Sequence, residues 1–229
     1  MKALLYKEFK LAMHPICYVF IGVFPSMILI PSYPLAVGFI YILSCYPILF
    51  LGANKGQQSN DLLYSTLLPV RKKDIVLARI ITVIIMQVAY MLIMSALCPV
   101  AIAISNSITI ESGEHLSVPG LGLNGFVSIL AIAVVGFAVA DLIFFPIYYK
   151  NGRSIVMSTL FTILGFVVYL AIFTIALPYV PGMEWYTRIL CDSGLGIQFA
   201  VLGGAIAISV LLHFFVYRIS SKRLEKVDF

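Results

Sequence analysis

Six long apolar runs divide this chain, at about 16–31, 34–52, 77–104, 123–148, 154–178 and 195–217, with short polar stretches between them. A helix of about 20 apolar residues crosses the roughly 30 Å hydrocarbon core of a bilayer, so each run predicts a transmembrane helix. Ahead of the first run, residues 2–14 predict a helix lying at the membrane surface. Leu5, Phe9 and Ala12 share a face at i, i+4 and i+7, while Lys7 and Lys10 point the other way and Pro15 closes the segment. Pro31-Ser32-Tyr33-Pro34 joins the first two runs by a tight turn, and Pro25 and Pro47 predict kinks within them.

Two connections carry a pattern of their own. Between runs two and three, Ser59 or Asn60 caps a short helix over 59–69, Asp61 favours its positive end and Pro69 stops it. Leu62, Leu63, Thr66 and Leu67 form an apolar stripe on it, flanked by Tyr64 and Ser65. So short a helix is unstable alone in water. It needs a partner protein, the rest of the membrane domain, or lipid to lie against. Between runs five and six, residues 179–194 mix the turn pair Pro181-Gly182 with Trp185, Tyr186, Ile189 and Leu190. That mixture predicts one or two short helices dipping back towards the membrane, with Trp185 and Tyr186 at the interface. The loop at 105–122 is polar and glycine-rich, and too short for a receptor domain.

Composition sharpens this picture. With 62% hydrophobic and 11% charged residues among 229, the chain is too apolar for a soluble globular domain. The fold class expected is all-α: one polytopic membrane domain over 1–229 with six transmembrane helices, an interfacial amino-terminal helix over 1–14 and the re-entrant pair. Of the 15 Lys and Arg residues, all but Arg188 fall on one side of the six runs. The positive-inside rule then puts both termini in the cytoplasm. The net charge of +5 reflects this topology and the anionic lipid bilayer, and excludes nucleic acid as the expected partner. The four cysteines have neither metal-site nor disulfide spacing, and a cleaved signal peptide is not expected.

Most catalytic signatures are missing. The chain has no G-x-x-x-x-G-K-[ST] phosphate loop and no G-x-S-x-G elbow, and His14, His115 and His213 lie in separate regions with no H-E-x-x-H pair. Neither ATP hydrolysis nor a zinc-peptidase metal site is expected here. Asp141 is the one acidic residue well inside a run. It is either a proton or substrate site, or an anchor near the inner leaflet paired with a basic residue or a backbone amide. Gln87 and Gln198 are candidate interhelical hydrogen bonds, and Gly136/Ala140 and Gly196/Ala200/Gly204 have small-residue spacing that permits close helix approach. Phe161, Phe166 and Tyr169 on run five are either cavity-facing aromatics or plain packing.

Three stretches resemble one family. The opening Met1-Lys2-Ala3-Leu4-Leu5-Tyr6-Lys7-Glu8-Phe9-Lys10, the segment Asn60-Asp61-Leu62-Leu63-Tyr64-Ser65-Thr66-Leu67-Leu68-Pro69 running on through Arg71-Lys72-Lys73-Asp74 to Arg79, and Phe145-Pro146-Ile147-Tyr148-Tyr149-Lys150 are similar to ABC-2-type permeases. The likeness is greatest to the small permeases of phenol-soluble modulin exporters. The resemblance implies a permease half in a bacterial plasma membrane that pairs with a second permease subunit, as homodimer or heterodimer. It also implies separate ABC ATPase subunits, which carry the ATP and Mg; this chain itself would hold no cofactor. The 59–69 helix becomes a coupling helix, with Asp61, Leu62, Tyr64 and Leu67, plus Lys7 and Glu8, as the ATPase-contacting residues. Residues 179–194 become an outer gate, and the cargo is an amphipathic peptide or other lipophilic molecule moved outward. The competing expectation is a secondary transporter or channel that uses Asp141 as its ion or proton site.

Overall fold

The computed structural model describes residues 2–12, 16–23, 25–26, 70–107, 123–151, 155–176, 181 and 194–226. Among them the chain is nearly all helical. Helix α1 (Lys2–Lys7) runs into a π-helical turn (Glu8–Ala12), followed by α2 (Ile16–Val23). Three further helices, α3 (Lys72–Ser107), α4 (Leu123–Asn151) and α5 (Ile155–Leu170), lead to a second π-helical stretch (Ala171–Ala176) and the last helix, α6 (Leu195–Glu225).

Four helices are long and apolar enough to cross a membrane, over Lys72–Val100, Leu130–Lys150, Val156–Phe173 and Leu195–Glu225. They correspond to the third to sixth apolar runs. The run at 34–52 lies outside the described residues, and the run at 16–31 is described only at Ile16–Val23, Pro25 and Ser26. The 59–69 helix and almost all of 179–194 also lie outside them. Helix α3 is longer than its apolar run at both ends. The basic residues Lys72 and Lys73, which read as a collar ahead of the span, form its first turn, where Asp74 suits the positive end of the helix. Pro99 and Pro146 lie inside α3 and α4 without ending them.

The amino-terminal helix differs from its expected register. Its buried side chains are Leu4, Lys7 and Glu8, so the most buried face is i, i+3, i+4 from Leu4, while Leu5 and Phe9 of the expected stripe are half-buried and the Ala12 side chain lies outside the described residues. An ion pair explains the change: Glu8 is held by Arg79 of α3, and the π turn begins at Glu8. Phe9 still packs at the edge of the core, and the Tyr18 hydroxyl donates to its carbonyl at 2.6 Å, tying α2 to the turn.

The core lies between α3, α4, α5 and α6. Val76, Ile80, Val83, Tyr90 and Met94 of α3 meet Phe137, Ala140, Phe144, Phe145 and Tyr148 of α4, with Phe166 and Tyr169 from α5 and Val216 from α6. The pairings fix directions: α3 and α4 are antiparallel, since Arg79 meets Tyr148 and Gln87 meets Asp141. Helices α4 and α6 are parallel, since Asp141 meets His213 and Pro146 meets Arg223. Gly136 is where α4 and α5 come closest. A Cβ there would sit 2.9 Å from ring carbons of both Phe166 and Tyr169, and one on Gly165 would run into the Ile143 side chain. Gly196 and Gly204, by contrast, have nothing within 4 Å among the described residues.

Candidate functional site

Two polar clusters interrupt this apolar core, one above the other between α3 and α4. The lower lies at the basic end of the helices, where Lys73 of α3 also pairs with Glu225 of α6 at 3.2 Å. Glu8 accepts from Arg79 Nε at 3.1 Å and from Arg79 Nη2 at 3.4 Å, and Lys7 Nζ lies 3.4 Å from the same carboxylate. Arg79 Nη1 donates to the Tyr148 hydroxyl at 3.2 Å, and its guanidinium lies 5.9 Å from the centre of that ring. Arg79 and Glu8 are only 3% and 5% exposed, so this is a desolvated ion pair in which each charge depends on the other.

The upper cluster lies eight residues further along α3 and seven residues back along α4, about two helical turns in each case. Asp141, with no exposed surface, accepts from the Gln87 amide at 2.9 Å through Oδ2. The same oxygen lies 3.0 Å from His213 Nε2 of α6. His213 Nδ1 lies 2.7 Å from the carbonyl of Ser209, one turn back on its own helix. Three helices therefore meet at one carboxylate oxygen. A third link near the basic end joins α6 to α4, where Arg223 Nη1 donates to the Pro146 carbonyl.

The residues singled out from sequence fare differently. Asp141 has the basic partner expected of an anchor, and that partner is His213; Gln87 makes the expected interhelical bond to it. Lys7 and Glu8, expected on a surface offered to another protein, are buried and bound within the chain because Arg79 claims the carboxylate. Phe166 and Tyr169 are not cavity-facing: they stack on one another against Gly136, and the Tyr169 hydroxyl donates to the Ile132 carbonyl at 2.8 Å. Phe161, at 48% exposed, points away from them. Asp61, Leu62, Tyr64, Leu67, Trp185 and Tyr186 lie outside the described residues.

Sequence reasoning missed Arg79, Tyr148 and His213 as partners. A depth count along the helices would have found one of them. Asp141 and His213 each stand nine residues before a lysine, Lys150 and Lys222, so two parallel spans bring them to the same level. Among the described residues no group of three or more His, Cys, Asp or Glu could hold a metal ion.

The four apolar helices make this a helical membrane protein with buried ionisable clusters at two depths. Comparison with protein families, characterised proteins and solved structures finds no match for the chain.

Proposed function

We propose that the chain is the permease subunit of an ATP-driven ABC exporter. It sits in a bacterial plasma membrane with both termini in the cytoplasm. It works with a second permease subunit and with ATPase subunits that supply ATP and Mg chemistry. The observation that carries this reading is the Glu8–Arg79–Tyr148 cluster. It clamps the amino-terminal helix to the start of α3, only ten residues past Pro69, where the 59–69 segment ends. A push on that segment from the cytoplasm is then delivered to α1, α3 and α4 together. In this scheme Asp61, Leu62, Tyr64 and Leu67 touch the ATPase, while Lys7 and Glu8 hold α1 in place from within.

ATP favours the closed ATPase pair, and its differential binding to the two states biases the permease between inward and outward access. The cargo is amphipathic or hydrophobic, a peptide by resemblance, because the sequence signals no hydrophilic chamber. The deciding experiment is co-purification of the chain in detergent with the ATPase encoded beside it, followed by ATPase activity. A stable complex whose turnover falls on Leu62→Asp is the expected result. A chain that purifies alone and moves solute into liposomes without nucleotide would overturn the reading.

A further inference from the structure

Thr82, Ser95 and Thr162 each donate to the carbonyl four residues back, at 2.9, 2.8 and 2.7 Å. That is the usual way for a hydroxyl inside a helix to find a partner. Ser220 and Ser221 of α6 do not follow it. They are 0% and 3% exposed, and neither hydroxyl has a hydrogen-bond partner among the described residues. The Tyr149 hydroxyl of α4, on a residue 1% exposed, likewise makes no hydrogen bond of good geometry there, although the Arg79 guanidinium lies near it. Burying one hydroxyl without a partner is costly, so three of them together call for a polar occupant.

The three hydroxyls belong to one place. Asp141 meets His213 across the parallel helices α4 and α6. Tyr149 and Ser221 each stand eight residues further on, so they share a level about two turns nearer the basic end. His213, Val216, Ser220 and Leu224 form one stripe of α6, and the His213 contact shows that it faces α4. Ser221 shares its face with Glu225, four residues on, which reaches Lys73 of α3. From α4, the Tyr149 ring stacks on Phe145 and brings its hydroxyl towards Arg79 of α3. Each pair of these three helices is in contact. The hydroxyls therefore line the junction of α3, α4 and α6, beside the Glu8–Arg79 pair.

We propose that Ser220, Ser221 and Tyr149 form a water-binding site at the basic end of the membrane domain, where α3, α4 and α6 meet. Water suits them chemically. Each hydroxyl carries no charge and can both donate and accept, and a buried water makes about three hydrogen bonds to such partners. The site brings α6 into the same polar network as Glu8, Arg79 and Tyr148, and it stands apart from the exporter reading.

The test is hydroxyl-radical labelling by an X-ray pulse, on the full chain in lipid nanodiscs, read by mass spectrometry. Radicals form from water where it sits, so a buried ring is labelled when water is bound beside it. Phe137 and Phe166, each 2% exposed, are the dry references. Tyr149 should be labelled several-fold faster than either, and Ser220→Ala with Ser221→Ala should bring it down to their rate. Labelling of Tyr149 no faster than that of Phe137 and Phe166 would overturn the proposal, because the serines then turn back to the carbonyls of Val216 and Tyr217. Fast labelling that the two alanines leave unchanged would overturn it as well, since the water would then belong to Glu8 and Arg79 alone. Should the double variant fail to fold, the comparison of rings in the unaltered chain still decides whether the junction is wet, and the single alanine variants decide the part of the serines.

Discussion

At Glu8 and Arg79 the chain commits two full charges to a contact almost closed to water. Removing one partner of such a pair strands the other and costs about 3–5 kcal/mol, whereas replacing both by apolar groups of similar volume can be neutral. Arg79→Met alone should therefore lower the thermal midpoint in detergent sharply, and Lys7→Met, Glu8→Leu and Arg79→Met together, which also remove the buried ammonium paired with Glu8, should recover most of the loss. If the triple variant is as unstable as the single one, the ion pair is not what holds α1 to α3. Both residues stand in plain view in the sequence, yet their pairing across 71 positions could not be read there. Arg79 reads as one more cytoplasmic charge until the fold takes it out of water. Asp141 was legible as unusual because a lone carboxylate in an apolar run needs a partner; which partner depended on how far each helix is inserted.

At the scale of elements, the α4–α5 contact depends on two glycines that admit neighbouring side chains. Gly136→Leu or Gly165→Leu must push the helices apart, at about 1–3 kcal/mol for an overpacked site. Gly204→Ala, mid-helix with no described neighbour within 4 Å, should not destabilise and should raise stability by up to about 1 kcal/mol. Thermal midpoints of the three variants in the same lipid would check this, and equal effects at Gly136 and Gly204 would refute the assignment of the close contact. Small-residue spacing named both places, and among the described residues only Gly136 is one of close approach. Spacing says that a backbone is approachable; it does not say which neighbour arrives. The aromatic residues of α5 show the same thing. Helical periodicity grouped Phe161, Phe166 and Tyr169, while the position of α4 put two of them in packing and left Phe161 outside.

For the whole molecule, Asp141, Gln87 and His213 tie α4, α3 and α6 together at one point. Spin labels at Lys150→Cys and Lys222→Cys, with the four native cysteines replaced, would read the separation of α4 and α6 in lipid nanodiscs. His213→Leu removes the α6 side of that contact and should widen or broaden the distance distribution. An unchanged distribution would mean that this contact is not what holds α6 to α4.

The sequence by itself determined that this is a helical membrane protein and where its third to sixth apolar runs form helices. Those features follow from local hydrophobic runs and from the need to satisfy backbone hydrogen bonds inside lipid, neither of which depends on distant residues. Only the tertiary structure decided that Glu8 belongs to Arg79, that Asp141 meets His213 and Gln87, and that Gly136 receives Phe166 and Tyr169. Each of these joins helices far apart in sequence. Their partners are set by the depth and rotation of packed helices, which no single segment encodes.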